Sequence, residues 1–258
     1  MLTLSGMAVP VLIALAVIGF VGGVGITALG PGGVLPTIGL FALTGLAAPT
    51  VAGTAIVTHV ATGVAGTAAY RRSGELRRPA TRRTALALGG TALIGTPIGV
   101  WVNSLVSQRV FGIVLAVLVA VAAVSIWVRE YLGADAASDR HPHVAVVALL
   151  GFTVAVFSGI VGIGGPMLTV PLLIACGVRV LESLAAAQVQ SIVIAVVGSV
   201  GYAAQGAIDW PLAALIGVPE LAGVLVGWRV AQALPTRVLK MALTAALLAL
   251  APYLALTA

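Results

Sequence analysis

The sequence predicts an all-α polytopic membrane protein made of two inverted-topology repeats of about five membrane segments each. In each repeat the second segment is short and follows a glycine-rich helix break. Three observations carry this expectation. The chain of 258 residues is 60% hydrophobic and 8% charged, against roughly a quarter charged in soluble domains, so it cannot cover its surface with polar groups. Apolar runs of about 18 residues or more recur along the chain, each long enough to cross a hydrocarbon core about 30 Å thick as a helix. Finally, the special residues of the first half return in the second at a fixed offset.

The elements follow in order. A first repeat covers 1–128, a hydrophilic linker, "REYLGADAASDRHPH", covers 129–143, and a second repeat covers 144–258. The opening apolar run, at 8–28, follows "MLTLSGM", which has no positive n-region, so it reads as a retained span and not a cleaved signal peptide. It ends in "ALGPGGVLPT", where Gly30, Pro31, Gly32 and Gly33 interrupt the helix. Glycine permits positive φ and close approach to the backbone, and proline has no N–H to lose. A short apolar piece at 33–46 comes next, then spans at 50–70, 84–103 and 109–128. The second half repeats the plan with a span at 144–161, a break, a short piece at 165–178, and spans at 183–204, 211–233 and 236–256.

A shift of 132 positions places Gly19-Phe20 on Gly151-Phe152, and Gly30, Gly32 and Gly33 on Gly162, Gly164 and Gly165. The same shift pairs Thr37 with Thr169, Gly45 with Gly177, Gly66 with Gly198, Tyr70 with Tyr202 and Gly74 with Gly206. Past the arginine-rich stretch the shift becomes 128 and pairs Gly89, Gly95, Gly99 and Arg109 with Gly217, Gly223, Gly227 and Arg237. Matching glycines are cheap in a chain with 32 of them. The tyrosine, threonine, Gly-Phe and arginine matches are not.

Charge sets the expected topology. Six of the thirteen basic residues lie in "RRSGELRRPATRR" (Arg71, Arg72, Arg77, Arg78, Arg82, Arg83), which the positive-inside rule places in the cytoplasm. With five segments per half, Arg129, Arg140, Arg179, Arg229, Arg237 and Lys240 also fall on that side, leaving Arg109 outside. Re-entrant short pieces would make the repeats parallel and move Arg179, Arg237 and Lys240 outward, so the charge bias favours inversion. Both termini then face outside a plasma membrane. The net charge of +6 is a topology signal and does not point to nucleic acid. Trp101, Trp127, Trp210 and Trp228 sit at run ends, as an interfacial aromatic belt would place them.

Broken helices at equivalent places of an inverted repeat point to a transporter's binding site. Non-helical backbone is tolerated at membrane depth only where it is buried in protein or lines a cavity. Short helices starting near Gly33 and Gly165 would present free N–H groups and a positive dipole end, which suits an anion. The expected binding set is Gly30, Gly32, Gly33, Gly162, Gly164 and Gly165, with the packing of small residues as the competing use. For the G-x-x-x-G pairs Gly95/Gly99 and Gly223/Gly227 packing is the expectation.

Ionisable and polar groups within the apolar runs extend the set. His59 lies mid-span with Thr54, Thr58 and Thr62 on roughly one face, opposite a cluster of Gln188, Gln190 and Ser191 in the equivalent helix. His59 and Glu220 are the candidates for ion coupling; Glu220 otherwise belongs to a structural pair, with Arg229 as the neighbour at hand. Glu182 reads as a first-turn residue favoured by the helix dipole. Asn103 either lines an outer vestibule or caps its span.

At these residues the chain resembles the sulfite exporter TauE/SafE family of membrane transporters. The resemblance rests on "GPGGVLPTIGLF" and "SGIVGIGGPMLTVPLL", each followed by a glycine, an alanine-rich helix and a Tyr-x-x-x-Gly end, and on "QGAIDW". It covers nearly the whole chain; "ALGPGGVLP" departs from the pattern at Ala28 and Pro31. The resemblance implies a secondary transporter of a small sulfur-containing or organic anion, sulfite or an organosulfonate such as sulfoacetate, exported by coupling to an ion gradient. An anion channel or an uptake permease for sulfur oxyanions is the alternative.

Enzymatic chemistry finds no footing. There is no H-E-x-x-H, paired-carboxylate, Ser/His/Asp or nucleotide-loop pattern. Of three histidines, His141 and His143 lie in the linker, so no metal and no cofactor is expected, and Cys176 alone makes no internal disulfide. The expected partners are the anion and the lipid bilayer; homo-oligomerisation is left open.

Overall fold

The computed structural model describes residues 7–28, 30–131 and 142–233, and the side chains at 28, 31, 125–131 and 228–233 lie outside that description. The last expected span, 236–256, with Arg237 and Lys240, falls outside the described residues, as do Arg140 and His141 and the side chains of Trp127, Arg129, Trp228 and Arg229. All regular structure among the described residues is helical: α1 Val9–Ala28, α2 Leu35–Thr44, α3 Ala48–Arg72, α4 Pro79–Asn103, α5 Gln108–Tyr131, α6 Val144–Val161, α7 Pro166–Ala175, α8 Val180–Ala204 and α9 Trp210–Ala233. Six of them (α1, α3, α4, α6, α8 and α9) are long and apolar enough to cross a membrane. With ten residues each, α2 and α7 are only about 15 Å long, half a hydrocarbon core.

Local sequence explains where helices start and stop. Prolines occupy the first turn of α3, α4 and α7, where an N–H would have no intrahelical acceptor. α4 begins at Pro79, so Arg82 and Arg83 ride on its first turns and the arginine-rich stretch is mostly helix ends. The His143 side chain caps α6, its Nδ1 accepting from the Ala145 N–H at 3.2 Å. Among the described residues, glycines with positive φ fall into three pairs 132 residues apart: Gly30/Gly162, Gly45/Gly177 and Gly74/Gly206.

Glycine contacts fix the direction of each helix. On α1, Gly19 abuts the Ile216 carbonyl and Gly23 the Glu220 carbonyl of α9, while Gly223 and Gly227 of α9 abut Phe20 and Val24. A methyl at any of these would collide with facing backbone, so the two helices run parallel at a separation only glycine allows. The equivalent pair α4 and α6 behaves the same way, Gly95 meeting Phe152 and Gly99 meeting Val156. Each half thus packs its first helix on the other half's fourth.

α3 and α8 cross antiparallel at the centre, Gly53 beside Tyr202 and Gly66 beside Gln188. α9 runs along α3, with Thr58 at Gly217 and the Asp209 N–H donating to Thr54 Oγ1 at 3.0 Å. Consequently α1 and α3 start at the same end of the bundle. α2 brings the chain back from the level of His59, midway along α3, to the start of α3.

Candidate functional site

The two helix breaks meet at the centre of the bundle. After α1, Gly30 at φ 100° reverses the chain into a 3-10 turn, Pro31–Val34, that leads into α2. After α6, Gly162 at φ 73° does the same and Gly165 starts α7. A Cβ on Gly30 would sit 3.6 Å from the Pro166 carbonyl, and Thr37 Oγ1 donates to the Gly162 carbonyl at 3.2 Å. Each break is thus braced by the other half.

Between them lies a small cavity with free room on the scale of a single water molecule. Gly30 and Gly33 from the first break, Gly164 and Pro166 from the second, and His59, Thr62, Gln188 and Ser191 from α3 and α8 line it, with Ile26 and Met167 as its apolar walls. First-turn N–H groups of a helix have no intrahelical acceptor, and the 3-10 turn Pro31–Val34 and α7 both begin here. Its polar side chains are deeply buried: His59 and Gln188 are each 1% exposed.

His59 connects this cavity to the fourth helix of the second half. Its Nδ1 stands 3.2 Å from Glu220 Oε1, and Glu220 is itself buried. The ring also lines the cavity, where its Cε1 lies 3.2 Å from the place a Cβ on Gly33 would take. His59 Nε2 and Gln188 Nε2 are buried without any hydrogen-bond partner. Two buried nitrogens that give up their hydrogen bonds at the same small cavity are costly unless something else fills it.

The expected site residues divide into those that face the cavity and those that build its walls. Gly30, Gly33, His59, Gly164, Gln188 and Ser191 face it. Gly32 does not: a Cβ there would run into Gly22, Gly25 and Ile26 of α1, so its role is packing. Gly162 packs on Ala52 in the same manner. Gln190 is a strut, accepting from Thr169 Oγ1 at 2.6 Å and donating to the Gly151 carbonyl at 3.0 Å; Gly165 leans on that carboxamide. Thr54 holds the start of α9, and Thr58 Oγ1 donates to the Ala55 carbonyl.

Glu220 is partnered by His59; the expected pairing with Arg229 falls on a side chain outside the described residues. Glu182 sits in the first turn of α8 and pairs with Arg179 at 3.8 Å. Asn103 ends α4 and donates to the Ile160 carbonyl at the end of α6. Trp101 and Trp210 are exposed at the same end of the bundle. No group of three or more His, Cys, Asp or Glu side chains that could hold a metal occurs among the described residues.

Comparison with known proteins agrees with this arrangement. The sulfite exporter TauE/SafE family pattern matches residues 15–254. A probable membrane transporter protein, YdhB of Bacillus subtilis (strain 168), is 25% identical over 198 residues, covering 75% of this chain and 79% of that protein. No solved structure matches. A helical, multi-pass chain whose two glycine breaks converge on a buried polar cavity, matched by the family pattern along nearly its whole length, belongs to the sulfite exporter TauE/SafE family of membrane transporters.

Proposed function

We propose that this transporter carries a small sulfur-containing or organic anion, sulfite or an organosulfonate such as sulfoacetate, and exports it across the plasma membrane coupled to an ion gradient. The observation that carries the reading is the pair of buried, unpartnered nitrogens, His59 Nε2 and Gln188 Nε2, at the cavity where both breaks meet. An oxyanion there would accept from both and from first-turn N–H groups of the 3-10 turn and of α7, with no lysine or arginine at the membrane centre. The cavity is smaller than any such anion, so binding requires its walls to part. That property favours a transporter with moving elements over a continuous pore.

His59 links cargo to coupling ion. Its ring stands between the cavity and the buried Glu220 carboxylate, so a change at either side is felt by the same residue. The repeats are read as inverted: equivalent helices α3 and α8 run antiparallel, and positive-φ glycines recur at a fixed offset. The hairpin of α1 and α2 starts and ends on one side, which leaves three net crossings per half, an odd number. With Arg71 to Arg83 in the cytoplasm, both termini lie outside.

Thermal unfolding of the purified protein with sulfite, sulfate, thiosulfate, sulfoacetate and small carboxylates tests the reading, since a ligand of the native state raises apparent stability. Sulfite or an organosulfonate is expected to raise the midpoint in the parent and not in His59→Ala. A panel in which only carboxylates act, or in which His59→Ala responds like the parent, would overturn it.

A further inference from the structure

Among the described residues, the pseudo-symmetry that relates the two halves is broken on the two sides of the cavity. Towards the Arg72 end, the described residues leave a cavity of about 440 Å³ between α3 and α9, lined by Thr27, Ala65, Ala69, Arg72 and Val224. It begins one turn of α3 beyond Thr62, which lines the central cavity. At the opposite end the equivalent helices α8 and α4 are packed shut. A Cβ on Gly201, the counterpart of Ala69, would lie 3.1 Å from a Val100 methyl.

The closed seam also carries a hydrogen bond that the open one lacks. The Tyr202 hydroxyl, fully buried, donates to the Gly159 carbonyl at 2.6 Å. The same offset maps Tyr202 to Tyr70 and Gly159 to Thr27, yet among the described residues no hydrogen bond joins Tyr70 to Thr27. Tyr70 instead packs beside Val170 and Leu184, and Thr27 faces the open cavity. Despite being shut, the α4–α6–α8 seam is polar. Ser158 Oγ and Thr96 Oγ1 are buried there without partners, at the positions where the other side has Ile26, which lines the central cavity, and Val224, which lines the open one.

Resting on the transport reading above, we propose that the closed seam is the second half of the anion's route. Ser158 and Thr96 line it once open, and the Tyr202–Gly159 hydrogen bond is the bolt that keeps it shut while the Arg72 side is open. When the seams exchange states, Tyr70 takes the Thr27 carbonyl and Tyr202 lets go of Gly159. The orphaned hydroxyls are then explained as groups that are solvated in the other state.

A cysteine pair tests this. The would-be Cβ of Gly201 lies 3.6 Å from the Val100 Cβ, within the roughly 3.5–4.5 Å that a disulfide spans. In a Cys176→Ser background, Val100→Cys/Gly201→Cys is expected to form a disulfide on mild oxidation and lock the seam. Thiol labelling of Ser158→Cys by a small maleimide in detergent should then drop to background and return with reductant. Tyr202→Phe, without the pair, should speed that labelling about fivefold, the population shift expected from losing one hydrogen bond. Sulfite efflux from proteoliposomes should stop on oxidation and resume on reduction.

Labelling at position 158 that is indifferent to the disulfide, or no faster with Tyr202→Phe, overturns the proposal. If the parent moves no sulfite, the assignment of the cargo fails while the labelling result still decides the seam.

Discussion

Gly32 and Gly33 are adjacent, and the structure assigns them opposite roles, so one methyl group at each separates cargo binding from packing. At Gly33 the added Cβ would lie 3.2 Å from His59 Cε1 and 3.5 Å from the nearest Ile26 carbons. Side-chain shifts of a few tenths of an ångström accommodate it, and loss of unfolded-state freedom offsets part of the crowding, so Gly33→Ala should change stability by less than about 1 kcal/mol. The methyl, however, takes up the free room of the cavity, which is on the scale of one water. An anion oxygen displaced from there forfeits two charge-assisted hydrogen bonds at about 1.5 kcal/mol each, roughly 3 kcal/mol and a hundredfold in affinity. At Gly32 the same methyl meets the Gly22 carbonyl and the backbone of Gly25 and Ile26, which cannot yield without moving α1. Gly32→Ala should therefore cost about 1–3 kcal/mol of stability. Thermal unfolding with and without sulfite reads both quantities. The reasoning is refuted if Gly33→Ala keeps the ligand-induced rise of the parent, or if the two variants lose stability alike.

Further outcomes follow from the same geometry. Glu220→Ala leaves a buried histidine without its partner and should destabilise by about 3 kcal/mol, while His59→Ala/Glu220→Ala should cost less than the sum of the single changes in a double-mutant cycle. Gln190→Leu orphans Thr169 Oγ1 and the Gly151 carbonyl and should lose about 2 kcal/mol with the ligand response intact. Gln188→Leu, by contrast, should leave stability within about 1 kcal/mol and abolish that response. Gly99→Ala drives a methyl into the Val156 carbonyl and should lower the unfolding midpoint more than Gly45→Ala. There the space is open and only the positive φ of 63° is strained, at about 1–2 kcal/mol.

Much of this architecture was legible in the sequence because a bilayer leaves few options. Apolar run length alone placed α1, α6 and α9 to within a residue or two, whereas α4 starts at Pro79, ahead of the expected 84, because its first turns carry arginines. The breaks were legible because Gly30 and Gly162 recur with the same neighbours, and both prove to have positive φ. The Glu220–His59 contact was not. It joins residues 161 positions apart, and the repeat offers no hint, since Glu220 aligns with Ala92 and His59 with Ser191. Gly32 and Gly33 read alike in sequence, and so do Gln188 and Gln190; which member of each pair faces the cavity depends on helix rotation in the packed bundle. Thr62 was legible by its spacing from His59 and lines the cavity, whereas its companions Thr54 and Thr58 bond to backbone. The cavity between α3 and α9 is a property of one conformation, and no pattern of residues encodes it.

The parallel embrace of α1 by α9 has a consequence for biosynthesis. The glycine surface of α1 around Gly19 and Gly23 finds its mate only when the stretch around Ile216 and Glu220 has been made, nearly 200 residues later. At a translation rate of about 5–20 residues per second, that delay is on the order of 10–40 s. During it a helix ending in an open Gly-Pro-Gly-Gly turn waits in the lipid without the protein that later shields its backbone. Newborn copies should therefore be most vulnerable to membrane proteases in that interval, and chains cut short before Trp210 should be degraded and not accumulate as stable halves.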